Sequence, residues 1–215
     1  ADVEMAAKII EDRALKTRQF FNTIAEHWDT LSREVLGGFD LAGAVCGMMP
    51  EGCEAAVDLG CGTGIVLERM RGRARQIIGV DGSPRMLELS RRRLAGVEGE
   101  PEGVSLRIGE LSHLPLRDCE ADFASINMVL HHQSNPENAL AEIRRVLRPG
   151  GLLVVADFDR HTQERMRLDY GDLWLGFDEA TMSRLLQAAS FEVVSTARHL
   201  VEQGLALNLT LARRL

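Results

Sequence analysis

The chain has 215 residues, of which 45% are hydrophobic and 27% are charged, and its formal net charge is −7. This length allows one α/β domain with a substantial core, and the composition is that of a globular protein rather than a disordered one. The acidic balance disfavours direct nucleic-acid binding, which needs a broad electropositive surface. No apolar run approaches the ~18 residues of a membrane span.

The N-terminus lacks the apolar core of a signal peptide, so we expect a cytoplasmic protein that does not contact a membrane. The four cysteines form no C-x-x-C pair, so reduced and mostly buried thiols are expected at Cys46, Cys53, Cys61 and Cys119. The sequence begins at Ala1 without an initiator methionine, which indicates a fragment and leaves open a missing upstream domain.

Apolar residues recur at helical spacing from Val3 to about Arg33, and residues 1–33 are therefore interpreted as a helical lid segment on a domain of residues 34–215. Further along, short apolar runs alternate with helical stretches, a pattern typical of βα units and a parallel sheet. The predicted strands are Ala55 to Leu59, Gln76 to Val80, Val104 to Ile108, Ala121 to Met128 and Leu152 to Asp157.

The C-terminal part predicts one helix from Asp178 to Ala189, with Asp178 as its N-cap. Strands near Glu192 to Ala197 and Leu205 to Ala212 then form a closing pair at the sheet edge. The pair Gly150-Gly151 is expected to end one helix and open the fifth strand, and residues 96–103 to form a turn-rich loop.

The most informative segment is AVDLGCGTG at 56–64, where a strand ends in an acidic residue before a glycine-rich turn. Glycines allow a sharp turn and a close approach of ligand to backbone, but NAD, FAD and adenosylmethionine sites all use such turns. Asp58 would repel a pyrophosphate and would favour a ligand that carries an ammonium and a sulfonium. A cationic ligand is therefore preferred over a dinucleotide.

Two further carboxylates follow neighbouring strands. Asp81 ends the second strand about 20 residues after the first glycine, where it can accept both ribose hydroxyls of an adenosine ligand. Asp81 could also be the N-cap of the helix near Pro84, and the two roles can coexist. Glu110 follows the third strand and is placed to accept from an adenine amino group, although it could also be a solvated loop charge.

The motifs DLGCGTG, VDGSPRML and RVLRPGG resemble those of class I S-adenosylmethionine-dependent methyltransferases, from about Phe20 onwards. The resemblance implies a Rossmann-like α/β sheet, mostly parallel with an antiparallel last strand, with helices on both faces. It also implies S-adenosylmethionine as cofactor. The cofactor-binding residues that it implies are Asp58, Gly60, Cys61, Gly62, Gly64, Asp81, Gly82, Met86, Glu110, Leu111 and Asn127.

In this resemblance Asp58 and the glycine turn hold the methionyl part, Asp81 binds the ribose, and Met86 flanks the adenine. Glu110 and the Leu111 backbone would form hydrogen bonds with the adenine edge, although aspartate is usual at the position of Glu110. Met86 at helical spacing could equally be plain core.

The fourth strand leads into NMVLHHQSN, so Asn127, His131 and His132 are the catalytic candidates beside the methyl donor. Histidine can take a proton near neutral pH, which makes one of the pair a candidate general base. His131 is the preferred candidate, with His132 orienting its neighbour or the loop. The alternative is that both histidines only form structural hydrogen bonds.

The segment DFDRH at 157–161 could hold a metal through Asp157, Asp159 and His161, but we expect no metal and favour a substrate contact by Asp157 or His161. The aromatic segment Tyr170 to Phe177 either covers the substrate or packs on the core. The N-terminal aromatic residues Phe20, Phe21 and Trp28 could form part of the lid.

The expected function is in-line methyl transfer to a small-molecule acceptor, since the motifs of DNA methyltransferases are missing after the fourth strand. The segments FFNTIAEHWD, VLHHQ, DFDRH and DLWLGF also resemble methyltransferase domains fused to ArsR-type winged-helix regulators. That resemblance raises an alternative, a non-catalytic sensor of S-adenosylmethionine or S-adenosylhomocysteine that works with a DNA-binding regulator. An NAD-dependent oxidoreductase is a third interpretation, and a homodimer remains open.

Overall fold

A seven-stranded sheet organises the protein. The computed structural model describes residues 15–95 and 103–215. The strands are β1 (Cys53–Leu59), β2 (Ala74–Asp81), β3 (Val104–Ile108), β4 (Ala121–Asn127), β5 (Leu147–Phe158), β6 (Phe191–Leu200) and β7 (Ala206–Arg214). Their order is β3-β2-β1-β4-β5-β7-β6. Strand β7 alone runs antiparallel to the other six strands. The predicted Rossmann-like methyltransferase sheet, with an antiparallel last strand, is confirmed.

Helices flank this sheet. A helical stretch, α1, covers 15–24, and a 3₁₀ turn at Ala25–His27 joins it to α2. The others are α2 (Trp28–Leu36), α3 (Leu41–Gly47), α4 (Ile65–Met70), α5 (Pro84–Ala95), α6 (Pro136–Val146), α7 (Arg165–Asp169) and α8 (Glu179–Ala188). In the described part of the chain, every helix is too short or too polar to cross a bilayer.

The predicted N-terminal helix is interrupted and extends further than expected. The Trp28 N–H bonds to the Ala25 carbonyl, so the backbone tightens into a 3₁₀ turn before α2, which ends at Leu36 rather than Arg33. Residues 3–14 of that prediction, and 96–102 of the predicted loop, lie outside the described residues.

Capping side chains set several helix starts. Asp178 accepts a hydrogen bond from the Thr181 N–H at 2.8 Å, which confirms the predicted N-cap of α8. Asp40 caps α3 in the same way, and that helix was not predicted. The helix α6 ends at Val146, so β5 begins at Leu147, five residues before its predicted start at Leu152.

Both faces of the central strands are buried. Alternation along β1 places Val57 and Leu59 in the core beside α6 and α8, whereas Ala56 faces the core beside α3 to α5. Phe123 on β4 is fully buried in the second of these cores. The sheet is therefore a rigid platform for the side chains at its edges.

The strand order reverses between β1 and β4, since the chain moves from β1 outward to β3 and then returns to β4. In open α/β sheets ligands bind at such a switch point, beyond the carboxyl ends of the strands. Here the carboxyl end of β1 leads into the glycine turn, and that of β4 is Asn127.

All four cysteines are free in the described structure. Cys46, Cys53 and Cys61 are buried, as expected, and Cys119 is exposed.

We expect Phe123→Ala to lower the free energy of unfolding by about 3–5 kcal/mol, because it leaves a cavity in the centre of the sheet. Val194→Ala, on edge strand β6 where the side chain is 46% exposed, is the control and should change stability little. Urea unfolding of the two variants measures the difference. Equal losses would contradict a core centred on β4.

Candidate functional site

A cavity of about 610 Å³ opens at the switch point of the sheet. The glycine turn and the ends of β2 and β4 form one wall, and α1 and α2 cover it from the other side. The volume falls within the range of small-molecule and cofactor sites.

The glycine turn needs its glycines for two different reasons. Gly60 and Gly64 have φ values of 70° and 83°, and an added Cβ would lie 2.5 Å from Val129 and 2.4 Å from Ser90. At Gly62 the nearest atom would be the Trp28 indole, 3.7 Å away, so the backbone is open towards the cavity. The Cys61 side chain packs beside Gly79 in the core, and only its backbone contributes to the turn.

Asp58 lies at the centre of the cavity wall and is only 2% exposed. Ser125 Oγ and Asn127 Nδ2 both donate to its Oδ1, at 2.6 and 2.9 Å. Ser125 is the register partner of Asp58 on β4, and Asn127 lies two residues further on the same face. The parallel pairing of β1 and β4 therefore brings the three side chains together.

The electrostatics at Asp58 favour a cationic ligand. Burial raises the pKa of Asp58 to about 7, against the two hydrogen bonds that stabilise the carboxylate. The Oδ1 atom of Asn127 is buried beside it without a hydrogen-bond partner in the described structure. An ammonium group would satisfy both the carboxylate and this orphaned acceptor, so the residues fit the methionyl end of S-adenosylmethionine.

Asp81, at the end of β2, accepts backbone hydrogen bonds from Gly62 at 2.9 Å and from Ser83 at 2.8 Å. Burial raises its pKa, and these two hydrogen bonds oppose the rise. The cap of α5 is Ser83, whose Oγ accepts from the Met86 N–H, so the alternative role of Asp81 as that cap is wrong. Asp81 instead connects the glycine turn to the loop after β2.

The far end of the cavity contains the predicted adenine residues. Met86 and Leu111 are buried and line it. An added Cβ on Gly82 would meet Glu110 Oε1 at 3.3 Å, so the Glu110 carboxylate lies against Gly82. That carboxylate forms an ion pair with Arg18 of α1, and both side chains are about 40% exposed.

The N-terminal helices α1 and α2 cover one side of the cavity. Phe21 and Trp28 line the cavity and pack edge to face with ring centroids 5.3 Å apart. Phe20 points elsewhere, because its ring lies against Gly171. Polar contacts join the lid to the sheet: Ser83 Oγ donates to Asn22 Oδ1 and Thr63 Oγ1 donates to Asp29 Oδ1, each at 2.6 Å.

The two candidate histidines have different surroundings. His132 lines the large cavity, and its ring packs edge to face on Phe21. His131 does not line it and lies behind, with Nδ1 2.7 Å from Asp157 Oδ1 and Nε2 3.4 Å from Asp172 Oδ1. The geometry therefore favours His132, not the preferred His131, for contact with an acceptor.

The two histidines also differ in the direction in which their pKa values are shifted. Burial disfavours the charged form of His131, but Asp157 and Asp172 outweigh burial and raise its pKa to about 10. Burial and the neighbouring His131 lower the pKa of His132 to about 3. Near neutral pH, these surroundings favour the imidazolium form of His131 and the neutral form of His132.

The other sequence candidates lie away from the cavity. Asp157 is 1% exposed and bonded to His131, and Asp159 accepts from Arg198 on β6, so neither is free to hold a metal with His161 as the motif suggested. Within the described residues, no part of the segment 170–177 lines the large cavity. Phe177 is instead buried in the core, which supports the packing alternative for this segment.

Sequence reasoning missed several residues of the site. Ser125 supports Asp58, Asp172 faces His131, and Asp29 connects α2 to the glycine turn. The alternation along β4 could have identified Ser125, since it precedes Asn127 by two residues on one face. Asp172 and Asp29 lie in a loop and on a lid helix, where no sequence pattern indicates a partner.

Comparison with known proteins finds a protein family that part of this chain matches. Residues 57–155 match the family described as a methyltransferase domain. This methyltransferase-domain segment runs from β1 into β5 and contains Asp58, Asp81, Glu110 and both histidines.

The demethylmenaquinone methyltransferase of Desulfitobacterium hafniense is 29% identical over 175 residues, which are 79% of this chain and 68% of that protein. The chain spans between 34% and 68% of the length of the curated relatives it matches. The activity of the whole protein is therefore treated below as a proposal.

Two solved structures share the fold. The crystal structure of the (4+2)-cyclase SpnF gives a TM-score of 0.76 at 19% identity and covers 92% of this chain and 94% of its own. The 1,6-didemethyltoxoflavin-N1-methyltransferase of Burkholderia thailandensis, solved with 1,6-didemethyltoxoflavin and S-adenosylhomocysteine, gives 0.72 at 23% identity and covers 100% and 90%. At these identities the likeness is one of fold.

We expect the raised pKa of Asp58 to make the fold less stable as pH rises. Between pH ~4 and ~7 the folded protein keeps a proton that unfolded Asp58 has lost, so stability falls by at most ~1.4 kcal/mol per pH unit. Asp58→Asn should remove this contribution, whereas Asp169→Asn, at an exposed carboxylate, should not. Urea unfolding between pH 4.5 and 7.5 compares the slopes, and identical slopes for Asp58→Asn and the wild type would contradict it.

Proposed function

We propose that this chain is an S-adenosylmethionine-dependent methyltransferase that acts on a small molecule. The observation that carries the proposal is the shared cavity, in which Asp58, Asp81 and the glycine turn line one wall and His132 lines another part. The match of residues 57–155 to the methyltransferase-domain family supports it. The demethylmenaquinone methyltransferase relative supports a small-molecule acceptor.

In this proposal Asp58, the Asn127 Oδ1 atom and the Gly62 backbone would hold the methionyl end of the cofactor, and Asp81 would accept from the ribose. Met86 and Leu111 would enclose the adenine. The Glu110 carboxylate, which pairs with Arg18 in the structure, would accept from the adenine amino group. When bound, the cofactor supplies a sulfonium methyl that is already activated towards nucleophiles, so the chain's own residues mainly need to orient the acceptor and exclude water.

The low basicity of His132 bears on how acidic the proton of the acceptor needs to be. A neutral imidazole with a pKa of about 3 accepts a hydrogen bond but is too weak a base to ionise an aliphatic alcohol. It suits an acceptor whose proton is already acidic, such as a phenol, a heteroaromatic N–H or an enol. We therefore propose an acceptor of this class, placed near Trp28, Phe21 and Met128 at the lid side of the cavity.

Binding of the cofactor product tests the first half of the proposal. Isothermal titration should give S-adenosylhomocysteine binding that is roughly 30-fold weaker in Asp81→Asn, because a charge-assisted hydrogen bond of about 2 kcal/mol is lost. Asp169→Asn should bind like the wild type. Binding of NAD in place of S-adenosylhomocysteine would contradict the proposal.

The same titration should show affinity falling as pH drops below 7, because protonation of Asp58 removes the partner of the ammonium. In Asp58→Asn the affinity should be lower throughout and nearly independent of pH between 6 and 8. A wild-type affinity that is flat over this range would show that Asp58 does not hold the ammonium.

Turnover tests the second half. Labelled S-adenosylmethionine is incubated with a panel of phenols, quinols, heteroaromatic N–H compounds and aliphatic alcohols, and transferred label is measured. We expect transfer to the acidic classes, and a loss of about tenfold in kcat in His132→Ala, because a hydrogen bond that orients the acceptor is lost, with exposed His27→Ala as the control. Tight binding without turnover on any acceptor would instead support the sensor alternative and its winged-helix partner.

A further inference from the structure

Behind His132, three buried side chains form a chain of two ion pairs. None of the three belongs to the residues proposed to bind the cofactor. His131 Nδ1 lies 2.7 Å from Asp157, and His131 Nε2 lies 3.4 Å from Asp172. The three residues are between 1% and 3% exposed. Two carboxylates that face the two nitrogens of an imidazole favour its cationic form, and neither oxygen of Asp172 makes a hydrogen bond in the described structure.

This ion chain joins three separate segments of the backbone. Asp157 lies near the end of β5, His131 in the turn after β4, and Asp172 at the start of a loop, residues 171–174. Asp157 also accepts from the His131 and Phe158 backbone N–H groups, at 3.2 and 2.7 Å, so its position is fixed by the sheet.

Backbone hydrogen bonds tie residues 171–174 to the same turn. The Leu173 and Trp174 N–H groups both donate to the His131 carbonyl, at 3.1 and 3.0 Å. The Trp174 indole N–H donates to the Gln133 carbonyl at 2.8 Å. The loop is thus fastened to the turn that carries the two histidines.

The loop in turn determines the tautomer of His132. The Nδ1 atom of His132 lies 3.2 Å from the Gly171 carbonyl oxygen, which can only accept a hydrogen bond. Nδ1 must therefore carry the proton, and Nε2 keeps the lone pair. Gly171 is the neighbour of Asp172, so a shift of Asp172 would move this carbonyl.

We propose that Asp172 is a positioning residue: through the ion chain Asp157–His131–Asp172 it holds residues 171–174 in place, and Gly171 thereby fixes the tautomer and orientation of His132. The role of His132 towards an acceptor rests on the proposed function. The ion chain and the tautomer do not rest on it.

A metal ion is the competing explanation, because ligand atoms of His131, His132 and Asp172 lie within 4.8 Å of one another. The geometry favours the ion chain, since His132 Nδ1 donates to Gly171 and has no lone pair for a metal. Two more titratable side chains lie near this cluster. Tyr170 lines a small cavity together with His131, His132 and Asp172, and the His161 ring packs on Phe158 beside His131. Burial lowers the pKa of His161, so it adds no positive charge near neutral pH.

Nitrogen-15 NMR of histidine-labelled wild-type protein tests the ion chain without any substitution. We expect His131 to be protonated at both nitrogens from pH 6 to 8, and His132 to be neutral with its proton on Nδ1. Elemental analysis of the same sample should find no stoichiometric metal. A neutral His131, the Nε2 tautomer of His132, or one bound zinc or iron per chain would each overturn the proposal.

Asp172→Asn tests the positioning role, with Asp169→Asn as the matched control three residues earlier at an exposed site. We expect amide exchange at 171–174 to become at least about tenfold faster, and the fixed tautomer of His132 to be lost, because the ionic attachment of the loop is weakened. Asp172→Glu should restore part of the protection. Unchanged exchange and an unchanged tautomer in Asp172→Asn would overturn the proposal.

Two readouts separate this proposal from the proposed function. S-adenosylhomocysteine affinity should stay within about twofold in Asp172→Asn, since Asp58 and Asp81 are untouched and well-separated sites act independently. The kcat for any acceptor found should fall while cofactor KM does not. If the chain proves to be a sensor, the NMR and exchange results still decide the ion chain, because neither requires turnover.

Discussion

The site depends on one buried carboxylate. Asp58 stands at the point where the strand order reverses, and two side chains of β4 hold it there. A buried carboxylate is costly unless it is neutral or paired, and its raised pKa reflects that cost. The protein therefore keeps, at the centre of its cavity, a group whose charge is best stabilised by a cationic ligand. The glycine turn beside it leaves the space in which such a ligand can lie.

The two ends of the cavity are built on different principles. Backbone and carboxylates at the ends of the parallel strands form one end, around Asp58 and Asp81. The other end combines the two N-terminal helices with a turn whose histidines are held from behind by a loop. The fold is shared with a cyclase and with a didemethyltoxoflavin methyltransferase, so the fold alone does not fix the chemistry.

The alternation of short apolar runs with helical stretches predicted a parallel sheet, and the glycine turn predicted a ligand site at its edge. The antiparallel last strand was implied by the family resemblance, and the strand order was not predicted. The lid helix was predicted as one piece, because hydrophobic spacing does not register the 3₁₀ turn at 25–27. The preference for His131 over His132 was not supported by the structure for a similar reason. Adjacent residues in a loop have no periodicity, so only the positions of Asp157 and Asp172 distinguish a buried cation from a cavity-lining imidazole.

The lid is fastened to the sheet side by three ion pairs, Arg18 with Glu110, Arg85 with Glu26 and Arg93 with Asp29, and in each pair both side chains are between 25% and 50% exposed. Pairs of this exposure contribute only ~0.2–1 kcal/mol each and are weakened further by dissolved salt. The attachment of these helices over the cavity is thus sensitive to dissolved salt. We expect higher ionic strength to loosen that attachment without any change in the residues that line the cavity.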